Sequence, residues 1–149
     1  MTLKGHVVQA VIGSAIMTQF LSPVENAVFF LSVIFIDVDH YFDFVIVTGR
    51  FKLGDMFKFH GWLWKHKDTL YGLSVFHTIE VFLALYFLGH YNRYFTIILY
   101  GFLYHMALDL ITLYWYGMFF NRAFSIAEYF IKKRITGKGY PVPEQGFWR

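Results

Sequence analysis

An all-α membrane bundle is the fold class the sequence predicts, and three observations predict it. The first is composition. Of 149 residues 57% are apolar and 15% charged, and 19 Phe, 11 Tyr and 4 Trp are more than a soluble core of this size buries, so the surplus is expected to face lipid. The second is segmentation: four apolar runs, 6–21, 26–48, 69–89 and 94–120, are bounded by charged or turn residues, each near the length of a bilayer span. The third is sidedness. Twelve of the 13 Lys and Arg fall in the N-terminus, the 50–67 loop and the C-terminal segment, leaving only Arg93 opposite, so both termini are expected to be cytoplasmic after an even number of crossings.

The elements follow in order. The first run, after Lys4, resembles a signal peptide around Ser14 and Ala15, but Gln9, Thr18 and Gln19 interrupt it and Ser22-Pro23 reads as a turn into the second run. It is therefore expected to remain as a helix. The 50–67 loop mixes five basic residues with Phe51, Phe57, Phe59, Trp62 and Trp64, a composition suited to lying against anionic headgroups. Its His60 and His66 read as solvated, and His90 as interfacial. Gly13, Gly72 and Gly101 are expected to allow close helix contact, and Thr69, Ser74 and Thr78 to satisfy backbone or pack between helices. Residues 122–134 place Phe124, Ala127, Phe130 and Ile131 along one face, with Glu128 four before Lys132, which predicts a short amphipathic helix before an irregular tail. The chain thus divides into a transmembrane domain, 1–121, and a cytoplasmic segment, 122–149.

Ionisable groups inside the spans carry the functional signal. The second run holds Asp37, Asp39, His40 and Asp43, the third His77 and Glu80, and the fourth His105 and Asp109. An Asp at a helix centre costs about 2.5–3.5 kcal/mol on insertion scales, so five carboxylates demand neutralisation, by protonation or by a bound cation. Spacing favours the cation. His77 and Glu80 are i,i+3 and His105 and Asp109 i,i+4, each an imidazole and a carboxylate on one helix face, as in metal-binding bundles. Asp37 and Asp39 are about 200° apart on a regular helix, so both reach one site only if the helix breaks near DVDH; otherwise one of them orients a ligand or is structural. His6, at the start of the first run, is a shallower candidate. With no cysteine, any metal must be held by His, Asp and Glu, which excludes thiolate sites, disulfides and cysteine nucleophiles.

These residues resemble a known family. His6, then IDVDH (36–40), FHTIE (76–80) and GFLYHMALDLIT (101–112) look like the membrane-bound metal-dependent hydrolases of the DUF457 (YdjM/YbcI-like) group. Its pattern runs Thr-His, Asp-x-Asp-His, His-Arg-Gly-x-Thr-His-Ser and Gly-x-x-x-His-x-x-x-Asp. Gly5 replaces the first Thr, and His66-Lys67 precedes His77-Thr78 by eleven residues instead of five. The resemblance spans about residues 5–115 and implies the ligand set His6, Asp37, Asp39, His40, His77, His105 and Asp109, in a prokaryotic-type inner (plasma) membrane. Similarity of ligand order to zinc-dependent phospholipase C-type enzymes implies phosphoester substrates.

The expected function is an integral-membrane hydrolase using a divalent metal, zinc first, to activate water against a lipid-linked or amphipathic phosphoester in the cytoplasmic leaflet. Glu80 or Asp43 would serve as general base or as an orienter of a ligand. Expected partners are membrane lipid and that substrate, not nucleic acid; a homo-oligomer is compatible with the sequence. Two other classes remain: a metal-ion or proton carrier, against which the apolar stretches 81–87 and 95–99 speak, and a membrane subunit of a larger assembly with a structural metal site.

Overall fold

A computed structural model describes residues 3–66 and 69–148, and it is all-helical among them. Lys67 and Arg149, counted above with the basic residues, lie outside the described part. Seven α-helices run in order: α1 Leu3–Met17, α2 Pro23–Phe35, α3 Val38–Thr48, α4 Leu53–Leu63, α5 Ile79–Gly89, α6 Arg93–Trp115 and α7 Ile126–Thr136. Short 3-10 turns at Val75–His77, Phe119–Asn121 and Gln145–Trp148 complete them.

Two antiparallel hairpins form the body. Ser22 caps α2 in a reciprocal box, its Oγ accepting from the Glu25 amide and Glu25 Oε2 accepting from the Ser22 amide at 2.8 Å, with Pro23 in the first turn. The second hairpin is turned by Asn92, whose side chain accepts from the Tyr94 amide at 2.9 Å and starts α6. Arg93 Nε contacts Glu25 Oε1 at 2.7 Å, so both turns sit at the same end of the bundle. α2 packs on α1 and α6, and α5 on α6. Their shared core is Ala10, Phe29, Val33 and Ile97. At the α2–α6 crossing Gly101 is buried against Ser32 and Phe29, leaving no room for a Cβ, while Gly13 lies against Tyr104 and Phe29. Gly72 instead makes room for the Tyr140 hydroxyl in a loop.

Three expected segments differ in ways that matter for the site. The second run breaks: Asp37, at φ −80° and ψ 0°, separates α2 from α3, and its side chain makes no capping hydrogen bond to the start of α3. The third run is helical only from Ile79; residues 69–78 are an irregular segment whose Leu70 and Gly72 form isolated parallel bridges to Gly139 and Arg122. Backbone polar groups there are satisfied by other chain segments: the Gly72 amide donates to the Asn121 carbonyl and the Ala123 amide to the Gly72 carbonyl, each at 2.9 Å. The 50–67 loop contains α4, which buries Phe59 and Leu63 against Phe44 of α3. His60 is accordingly half-buried rather than solvated, and burial lowers its pKa. The expected C-terminal helix is present as α7, started by Ser125 and stopped by Gly137 in the left-handed region at φ 65°; it buries Tyr129, while Ala127, Phe130 and Ile131 of the expected apolar face are exposed.

Of the four expected spans, α6 alone among the described helices is long and apolar enough to cross a membrane. At about 1.5 Å per residue its length matches the roughly 30 Å hydrocarbon core, whereas α1, α2 and α5 fall short. The exterior is nevertheless strongly apolar. Val8, Val11, Ile12 and Ile16 on α1, Leu83, Phe87 and Leu88 on α5, and Leu103, Ile111 and Trp115 on α6 are all exposed.

Candidate metal centre

Away from the two turns, the start of α1, the α2–α3 break with the first turn of α3, the 75–77 turn and the middle of α6 bring seven ligand-type side chains together. Asp37 is at the centre because the backbone break between α2 and α3 leaves its carboxylate uncommitted to capping. Its Oδ1 lies 3.4 Å from His40 Nε2, 3.5 Å from His77 Nε2 and 3.4 Å from His105 Nε2, and its Oδ2 lies 3.3 Å from His6 Nε2. Asp109, one turn after His105 on α6, places Oδ2 3.9 Å from His105 Nε2 and 4.0 Å from His77 Nε2. His77 and His105 are fully buried, and the His6 ring stacks on that of His105 with centroids 4.8 Å apart.

The outer ring nitrogens orient the rings. His105 Nδ1 faces the Val33 carbonyl at 2.8 Å; a carbonyl only accepts, so Nδ1 donates and Nε2 is the nitrogen left to point at Asp37, the one a metal would take. His77 Nδ1 likewise faces Asp39 Oδ2 at 3.2 Å, and the Phe76 amide donates to the same oxygen at 2.8 Å. Asp39 therefore grips the back of His77 and its loop, with its other oxygen 3.6 Å from His40 Nδ1. His77 Nε2, His105 Nε2 and Asp37 Oδ1 are buried with no hydrogen-bond partner among the described residues. Ligand-type atoms gathered at this spacing without partners are an arrangement a cation can satisfy. Two triads, His6 with His105 and Asp109, and Asp37 with His77 and His105, bring donor atoms within 4.8 Å of one another and could hold a metal ion.

All seven residues expected as ligands thus meet in one cluster, whereas the two expected bases lie outside its hydrogen-bond and ion-pair network. His77 sits in the 3-10 turn before α5, so it shares no helix face with Glu80. Glu80 Oε1 instead accepts from Ser125 Oγ at 2.6 Å and the Ile126 amide at 3.0 Å, at the start of α7. Asp43 accepts from the Tyr140 hydroxyl at 3.0 Å. His66 is exposed and bonded to the Trp62 carbonyl, away from the cluster.

Three participants gave no sequence signal. Ser74 Oγ lies 3.3 Å from His40 Nδ1, and His60 Nε2 donates to the His40 carbonyl at 3.2 Å, fastening α4 beneath the break. The third is Arg122, buried, with Nη1 3.0 Å from Asp109 Oδ2. By sequence it belonged to the cytoplasmic basic set; the bridge between Gly72 and Arg122 draws it inward. No family model, curated protein or solved structure matches this chain.

Proposed function

We propose that this chain is a membrane-embedded, metal-dependent hydrolase whose centre is built on Asp37. One observation carries the reading: four imidazole nitrogens from α1, α3, the 75–77 turn and α6 converge on a single carboxylate, 3.3 to 3.5 Å away. The N and O donor set suits zinc. Oδ1 faces His40, His77 and His105 while Oδ2 faces His6, so Asp37 with these imidazoles would hold the metal, with an oxygen available on either side. Bound there, a divalent cation would supply Lewis-acid charge and a water acidic enough to act as nucleophile near neutral pH. The chain's own work is positional. Asp39 and the Val33 carbonyl fix the ring tautomers so that the inner nitrogens are free to ligate.

The membrane reading rests on α6 and on the apolar exterior of α1 and α5 beside it, with the basic 50–65 and 122–138 stretches at the end that carries the centre. A lipid-linked or amphipathic phosphoester of the cytoplasmic leaflet is the substrate class this arrangement fits. The motif resemblance to DUF457 hydrolases supports the same reading. It is tested by elemental analysis of detergent-purified protein and hydrolysis assays over a phosphoester panel. Wild type is expected to carry tightly bound zinc and turn over at least one phosphoester, His105→Ala and Asp109→Ala neither. Stoichiometric metal in both variants would end the proposal.

A further inference from the structure

Arg122 is a buried cation with donors to spare. A guanidinium carries five N–H groups. Among the described residues its partners are Asp109 Oδ2, 3.0 Å from Nη1, and the Met106 sulfur, 4.0 Å from the same nitrogen. Nε and Nη2 have none, in a side chain only 10% exposed. None of these nitrogens is among the side-chain atoms sealed away without a partner, so they lie where an incoming acceptor can reach them, and the planar fork matches carboxylate or phosphate oxygens in pairs.

Charge decides which acceptor fits. A metal takes imidazole as the neutral ring, so in a loaded centre Asp37, Asp39 and Asp109 against Arg122 amount to two negative charges from the chain. One divalent cation neutralises them. Two cations, which both oxygens of Asp37 can serve, leave two positive charges beside unpaired guanidinium N–H groups. That excess calls for a dianion, and a phosphoryl group carries that charge with enough oxygens to meet the fork and a cation together, whereas a carboxylate brings one charge.

We infer that Arg122 is the anion-binding residue of this centre, presenting its free N–H groups to a phosphoryl oxygen of the ligand while Nη1 holds Asp109. The inference deepens the metal-centre reading and rests on it. It adds a residue from outside the four-helix body, delivered by the 70–72 and 121–123 backbone clip, which makes the loop pairing part of ligand recognition.

The test is calorimetric titration of inorganic phosphate, and of acetate as a monoanionic control, into zinc-loaded full-length protein whose metal content is measured first. Wild type is expected to bind phosphate more tightly than acetate. Arg122→Gln should keep its metal and bind phosphate roughly tenfold or more weakly, the loss expected for charge-assisted hydrogen bonds. Arg122→Lys retains the charge without the fork and guards against misfolding of the glutamine variant; it should fall between the two. Equal phosphate affinity in wild type and a folded variant overturns the inference, as does metal-loaded wild type that binds no phosphate. Loss of metal in both variants overturns it too, leaving Arg122 as a support for Asp109 alone. Wild type that takes up no zinc defeats the metal reading itself, and the phosphate titration on that sample then decides whether Arg122 binds anions without it.

Discussion

His105 sets Nε2 3.4 Å from Asp37 Oδ1 while its other nitrogen donates to the Val33 carbonyl at 2.8 Å. A cation held between that nitrogen and that carboxylate would bind the folded chain and not the unfolded one. Zinc should therefore raise the melting temperature of wild type. At a hundred times its Kd the gain is about 2.7 kcal/mol, or roughly 5–10 °C for a chain of this size. Asp37→Asn keeps the shape but removes the charge that faces four imidazoles, and should abolish the shift in a thermal melt with and without zinc.

Asp39 tells a different story from Asp37 two residues earlier, although the sequence presents them as equals. Its Oδ2 is occupied by the Phe76 amide and His77 Nδ1, so it orients a ligand rather than facing the inner nitrogens. Asp39→Asn should retain full metal loading at high zinc with affinity weakened about 10–100-fold, as for other groups behind a ligating imidazole. Competition with a chelator of known affinity measures it. A loss as complete as that of Asp37→Asn would place Asp39 on the metal.

Much of this site was legible before any coordinates, and the reason is physical. Ionisable side chains in apolar runs are so unfavourable that their presence alone flags function, and the i,i+4 pair His105 and Asp109 kept its common helix face. The spacing of Asp37 and Asp39 left two outcomes, a break or a helper role for one of them, and both are seen: α2 ends before α3 begins and Asp39 holds His77 from behind. Periodicity failed where helix did not form. Residues 69–78 are apolar enough to read as a span, but their backbone bonds go to Asn121, Ala123 and Gly139, so the expected pairing of His77 with Glu80 dissolves. Arg122 was invisible for the same reason: no local pattern records a bridge between positions fifty residues apart.

The Tyr140 hydroxyl, buried beside Asp43, ties the C-terminal segment to α3. Burial and the Asp43 charge push its phenol well above 10.0. A raised folded value means that the stabilisation is complete below the ordinary phenol pKa and is lost only as pH rises through the higher one. Tyr140→Phe should cost about 1–3 kcal/mol near neutral pH by leaving Asp43 without this donor. The difference in phenolate absorbance between wild type and variant should stay flat through pH 10; a midpoint there would show the bond broken in solution.

At the crossing of α2 and α6 a methyl on Gly101 would land in the Ser32 hydroxyl and press on the Phe29 carbonyl. Gly101→Ala should destabilise by about 1–3 kcal/mol through overpacking. Because Val33, next to Ser32, supplies the carbonyl that fixes His105, zinc affinity should fall with it. Ser32→Ala relieves the hydroxyl clash alone, so the double variant should recover part of the loss, and a double-mutant cycle measured by denaturant unfolding gives the coupling.

Glu80 separates the structural from the chemical use of an acid in this bundle. Its Oε1 takes hydrogen bonds from Ser125 Oγ and the Ile126 amide, which docks the start of α7 onto the start of α5 and closes the segment that carries Arg122. Glu80→Gln weakens that anchor without touching the seven clustered side chains. It should leave zinc content unchanged while making residues 116–125 more open to protease, and Ser125→Ala, which removes the same contact and a helix cap worth about 0.5–2 kcal/mol, should give the same cleavage pattern. Phosphate affinity should fall modestly in both, since Arg122 is held by the neighbouring bridge as well. If Glu80→Gln instead abolished turnover with the protease pattern and the Ser125→Ala activity both at wild-type level, the carboxylate would have to be acting on substrate, in a geometry different from the one described.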